Sequence, residues 1–220
     1  MFPVELDALK WKLEPASTTE GQTFYVTTNE GLFAFVQVVY SSINSWSPSV
    51  QITARVYTPD GNKKVINKTV GGPALELSAD RLSLKCDTAE LKYKEGSHPR
   101  PFYHIVFSVV PDLLIEIEFE SIVDVFHTAK DHGKRLFDEE DPTIGYISSQ
   151  LIAKANVKGQ IVVDGKVHDA AGFGAFVHAL QNQPQNVARW NFVNFQNKRD
   201  ALILYQVMHL YRQTKLVIYS

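Results

Sequence analysis

"FYHIVFSVVPDLLIEIEFES", residues 102–121, decides the fold class. In its second half Leu113, Ile115, Ile117 and Phe119 fall on one face, and Glu116, Glu118 and Glu120 on the other. An antiparallel strand with one dry and one wet face has this period of two. The run FYHIVFSVV comes before it and VVPD (109–112) divides the two, so the stretch reads as a β-hairpin. SVQITARVYT (49–58) repeats the pattern, with Val50, Ile52, Ala54 and Val56 set against Gln51, Thr53 and Arg55. Outward from these, PDGN (59–62), Asp164-Gly165 and NKRD (197–200) supply turn chemistry between further β-rich runs. About a dozen strands at roughly 8–12-residue spacing predict an all-β chain, an up-and-down barrel or a sandwich.

Three stretches depart from the alternation. Phe2, Leu6, Leu9 and Leu13 recur at helical spacing, which makes the N-terminus the helical candidate. FHTAKDHGKRLFDEEDPTIG (126–145) reads as a long surface loop, and KYKEGSHPRPFY (92–103) as a second. FAFV (33–36) and GAFV (174–177) echo one another, a hint of two related β units.

Composition removes several function classes. A formal charge of −2 leaves no electrostatic footprint for nucleic acid. Apolar runs such as GLFAFVQVVY (31–40) are too short to span a bilayer, and MFPVELDALKWKL (1–13) does not read as a secretion signal. The single cysteine, Cys86, excludes an internal disulfide and fits a reducing compartment, so the Asn67 sequon is expected to carry no sugar. A cytoplasmic protein is expected.

Catalytic and metal chemistry find little support. The seven histidines, His98, His104, His127, His132, His168, His178 and His209, show no paired ligand spacing, so no metal is expected. No G-x-S-x-G elbow or Gly-rich phosphate loop occurs, and Cys86, alternating with Leu84, reads as core. No catalytic residue and no cofactor are assigned. Several strands are apolar on both faces: Phe33, Phe35 and Val39 lie opposite Leu32, Ala34, Val36 and Val38. One face would line a barrel interior and the other meet a second element. The residues suit equally a cavity for an apolar ligand and a filled core. If a cavity, Phe33, Phe35, Tyr57, Phe107, Phe176, His178, Trp190, Asn191 and Phe192 are its candidate lining. Trp190 and Asn191 would offer donors to a polar head.

Two blocks carry a resemblance. TEGQTFYVTTNEGLFAFVQVVYSSI (19–43), preceded by LDALKW (6–11), resembles the opening of the fungal survival factor family. GFGAFVHALQNQPQNVARWNFVNFQ (172–196) resembles the junction between that family's two domains. The resemblance implies lipocalin-like (calycin-type) antiparallel β-barrels, with residues 1–183 forming the first and 184–220 beginning a second that is incomplete here. It also implies non-enzymatic carriage of a hydrophobic lipid, a ceramide-type sphingolipid, between endoplasmic reticulum and Golgi. Peripheral contact with those membranes and survival of oxidative stress belong to the same implication.

The chain departs from the family pattern in three respects. It starts almost at the LDALKW block, where relatives carry a membrane-binding helix ahead of it. Ser149 and Ala153-Lys154 stand where a His and a Pro-Arg pair are expected. The closing stretch 201–220 supplies too few strands for a whole second barrel.

A rival resemblance is to lipocalin-like hydratases and cyclases acting on terpenoids or polyketides, whose layout VVDGKVHDAAGFGAFVHAL (162–180) and RWNF (189–192) match. There an acid should flank the histidine. His178 has Val177 and Ala179 beside it, and Asp164 and Asp169 are the nearest acids in sequence, so its proton-donating partner is expected to be missing. A third reading is an interaction module with a filled interior.

Overall fold

The hairpin over residues 102–121 lies within a large curled sheet. A computed structural model describes residues 5–14, 17–43, 48–95, 100–128, 133–209 and 217–219. Its strands, in chain order, are β1 (Thr18–Thr28), β2 (Phe33–Ser42), β3 (Ser49–Tyr57), β4 (Lys63–Gly71), β5 (Glu76–Leu77), β6 (Leu84–Cys86), β7 (Ala89–Lys94), β8 (Phe102–Val110) and β9 (Leu113–Ser121). There follow β10 (Phe126–His127), β11 (Lys134–Leu136), β12 (Tyr146–Val163), β13 (Lys166–Asp169), β14 (Gly172–Asn182), β15 (Val187–Gln196), β16 (Ala201–His209) and β17 (Val217–Tyr219).

Fourteen strands form one antiparallel sheet in the order β4-β3-β2-β1-β14-β12-β9-β8-β7-β6-β5, with β10, β11 and β13 paired to β12. β15, β16 and β17 form a second sheet. The lipocalin-like, all-β expectation holds. The large sheet curls into a half-barrel around one core. Ile66 and Val70 of β4 pack on the same core as Ile105 and Phe107 of β8. Lys64 reaches from β4 to Asp112 and Asp164, in the β8–β9 and β12–β13 turns. Asp164 and Gly165 both have positive φ, as a tight hairpin turn needs.

Two glycines permit close approaches that a side chain would block. A Cβ on Gly174 would lie 2.4 Å from the Phe119 ring, so its absence gives that ring its place in the core. Gly159 has φ +126°, and a Cβ there would meet Glu116 O at 2.2 Å where β12 crosses to β9.

The sequence-based expectations at the edges need correction. The N-terminal helix candidate is a single 3-10 turn, Leu6–Leu9, followed by extended chain; Phe2 lies outside the described residues. The stretch 126–145 is not all loop, because β10, β11 and a 3-10 turn at Pro142–Ile144 organise it. Residues 96–99, with His98, and 129–132, with His132, lie outside the described part. FAFV and GAFV belong to one sheet, flanking β1 as β2 and β14. Cys86 is buried as expected, its thiol 3.6 Å from Ala89 O.

Candidate functional site

The interior of the half-barrel has two levels, set by register. Gln22 of β1 pairs with His178 of β14, which pairs with Gln150 of β12. Directly paired residues point to one face of a sheet, so these three form a polar row inside. Glu20 and Ser148 lie two residues further along on the same face, and Gln150 donates to Ser148 Oγ at 3.0 Å. Two residues the other way, the row becomes Phe24, Phe176 and Ile152. Phe24 packs edge-on to Phe119 and Tyr103, with centroids 5.2 and 5.3 Å apart, and lies 4.7 Å from Phe176. One end of the interior is therefore polar, and an aromatic layer adjoins it.

A strap formed by residues 9–13 closes the polar end. Leu9 and Trp11 are fully buried. Gln22 Nε2 donates to Leu9 O, Trp11 N donates to Arg81 O, and the Arg81 guanidinium donates back to Trp11 O (2.5 Å) and Lys12 O (2.6 Å). The inner clasp is Glu20, 1% exposed. Its carboxylate accepts from Lys12 N at 2.8 and 2.9 Å, and from Leu13 N at 2.6 Å. Glu20 Oε1 also lies 2.8 Å from His178 Nε2, and Trp11 packs on that imidazole with centroids 5.7 Å apart.

The electrostatics follow from these contacts. Burial works to raise the Glu20 pKa, but the hydrogen bond and charge of His178, with the Lys12 and Leu13 N–H groups, outweigh it and hold Glu20 below the usual carboxylate value. An ionised carboxylate only accepts, so Nε2 is the nitrogen that carries the proton. Nδ1 of His178 is buried and has no hydrogen-bond partner among the described residues.

Four buried polar atoms here have no partner among the described residues: Trp11 Nε1, Gln22 Oε1, Tyr103 Oη and His178 Nδ1. Tyr103 lies across the interior on β8, its ring stacked 5.8 Å from Phe176. Burial pushes its phenol well above the ordinary range, and Tyr93 and Asp80, the neighbour of Arg81, add to the shift. Each such orphan costs about 1–3 kcal/mol unless something completes it.

The nine candidate lining residues do not share one surface. Phe107, Phe176 and His178 lie inside. Phe33, Phe35 and Tyr57 point outward, opposite the buried Ala34, Val36 and Val56 faces of their strands. Phe192 stacks on Tyr25 at 4.6 Å, and Tyr25 meets Phe35 at 5.4 Å, so these rings form a seam between the outside of the half-barrel and the second sheet. Ser149 Oγ and Tyr205 Oη bridge the same seam at 2.8 Å. Trp190 is 37% exposed and edges Tyr205, and Asn191 donates to Gln206 on the surface.

The expected lack of an acid beside His178 is overturned. Glu20 supplies it from 158 residues away, through the pairing of β1 with β14. Sequence reasoning missed Glu20, Trp11, Gln22 and Tyr103. A signal was there, since Thr18, Glu20 and Gln22 alternate onto the same face as Phe24 and Val26. A carboxylate on a dry face calls for a partner.

A family model, the Svf1 family, matches residues 3–220. The chain belongs to this family. Ceramide-binding protein svf1 of Schizosaccharomyces pombe is 27% identical over 206 residues, which cover 92% of this chain and 53% of that protein. Its namesake in Aspergillus fumigatus is 27% identical over 207 residues, covering 90% and 50%. The chain thus spans about half the length of these curated relatives. Among solved structures, an AttH candidate from Nitrosomonas europaea superposes with a TM-score of 0.69 at 10% identity, covering 100% of this chain and 73% of its own. Kievitone hydratase from Nectria haematococca gives 0.63 at 11% identity, covering 98% and 64%. At such identities the likeness shows the fold alone, and the fold is lipocalin-like.

Proposed function

We propose that this Svf1-family chain binds a hydrophobic lipid of the ceramide type in its half-barrel. The observation that carries the reading is the two-level interior, an aromatic layer for an acyl chain adjoining a buried polar end for a head. The names of the relatives supply the lipid class. Burial of each CH₂ contributes about 0.8 kcal/mol, so a long chain can drive uptake without covalent chemistry. The chain enters by parting rings such as Phe24 and Phe176. Transfer through the cytoplasm between endoplasmic reticulum and Golgi, with peripheral membrane contact and a part in oxidative-stress survival, completes the proposal. Native mass spectrometry of protein from eukaryotic cells, followed by lipid extraction, tests it, with tryptophan fluorescence on adding short-chain ceramide as the second readout. No lipid and no fluorescence change would reject binding and leave an interaction module with a filled interior.

The Glu20–His178 pair favours a second reading, acid–base catalysis of the hydratase or cyclase kind. A carboxylate that orients a buried histidine and leaves its other nitrogen free is the arrangement such chemistry uses. That reading requires turnover of a terpenoid or polyketide that His178→Ala abolishes.

A further inference from the structure

We propose that Trp11, Gln22, Tyr103 and His178 form a head-group site selective for an uncharged lipid head carrying an amide or hydroxyl. This rests on the lipid-binding reading and assigns its polar contacts. The four unpartnered atoms are of both kinds: Trp11 Nε1 and Tyr103 Oη donate, Gln22 Oε1 accepts, and His178 Nδ1 completes the set. All four residues are at most 2% exposed. An amide or a hydroxyl answers donors and acceptors at once, whereas a purely hydrocarbon ligand leaves every one of them unpaired.

Charge narrows the class further. Glu20 is engaged by His178, Lys12 and Leu13, so it offers the site no free acceptor. These donors already match its charge, so a phosphate or carboxylate head would be buried away from water with no counter-charge left to meet it. Phe24 and Phe176, one step along the same strands from Gln22 and His178, receive the start of the chain. Trp11 belongs to the strap, so the same side chain that seals the polar end also contacts the head.

Tyr103→Phe tests the assignment with least disturbance, because the lost hydroxyl has no partner among the described residues. The 220-residue chain is titrated with hexanoyl ceramide, its 1-phosphate and diphenylhexatriene, a probe without a polar head. Expected are a threefold to tenfold loss of ceramide affinity (about one hydrogen bond), unchanged diphenylhexatriene binding and an unchanged or raised Tm. Trp11→Phe should lose ceramide affinity similarly; if it fails to fold, Tyr103→Phe carries the test alone. Ceramide phosphate should bind the unsubstituted chain at least about tenfold more weakly. Undiminished ceramide binding by folded Tyr103→Phe, or equal binding of the phosphate, overturns the assignment and means that the polar atoms hold water only; lipid binding then stands. A matched loss of ceramide and diphenylhexatriene also overturns it. An unsubstituted chain that binds neither probe removes the lipid reading and the head-group site together.

Discussion

The aromatic layer and the polar end use the same three strands, one step apart, yet are held by different physics. Phe24, Phe176 and Ile152 exclude water and need only shape. Gln22, His178 and Gln150, on the next rung, are as deeply buried and must find hydrogen bonds. The aromatic layer tolerates no loss of volume, and the polar end no loss of a partner. Phe176→Ala is therefore the largest expected effect. It empties a ring-sized volume beside Phe24 and Tyr103 and should cost about 3–5 kcal/mol in urea unfolding. A cost below about 1 kcal/mol would mean that the rings do not pack tightly, and the contrast would fail.

Glu20→Gln strikes the polar end instead. The amide keeps the shape but weakens charge-assisted bonds to Lys12 N, Leu13 N and His178, for an expected loss of about 1.5–3 kcal/mol. It should also change the response to acid. The folded pKa of Glu20 lies below its ordinary value of 4.5. Its contribution is complete above the unfolded value and is lost as pH falls through the folded one. The unsubstituted chain should thus lose stability below about pH 4.5 more steeply than Glu20→Gln. Parallel curves from pH 7 to pH 3 would show that Glu20 is not the acid-sensitive clasp of the strap.

The seam outside the half-barrel sharpens the contrast from another side. It too is aromatic, but Phe192 is only half buried and stacks on one face of Tyr25. Phe192→Ala should cost about 1–2 kcal/mol, clearly less than Phe176→Ala, because the half-buried ring removes less area from water, although its pairs with Tyr25 and Tyr205 are both lost. Equal costs would show that the seam holds the molecule as firmly as the interior does.

These differences explain what the sequence could reveal. Period-two alternation places the strands, and Asp-Gly and PDGN place turns, because those signals are local. The face of each strand is legible as well, but not what lies beyond that face. Phe33 and Phe35 alternate with Ala34 and Val36, and only the curl of the sheet decides which set turns inward. The partnership of Glu20 with His178 is a fact of register between β1 and β14, and of where the strap lies. No window around His178 contains it. The acid was legible only as an anomaly, a carboxylate sharing a face with Phe24 and Val26.

Asn191 gives the smallest expected effect and the sharpest test of that lesson. Its position beside Trp190 among apolar residues makes it a candidate ligand contact by sequence. In the structure its amide donates to Gln206 at 2.8 Å on an exposed face of the second sheet. Its neighbour Trp190 is likewise partly in water. An exposed side chain–side chain bond of this kind contributes little, because water replaces it at similar strength. Asn191→Ala should shift stability by less than about 0.5 kcal/mol and leave ceramide affinity unchanged, measured beside Tyr103→Phe in the same titration. A drop in affinity at Asn191 with none at Tyr103 would move the head-group contact from the inside of the half-barrel to the second sheet. The polar end would then be a structural clasp for the strap and nothing more.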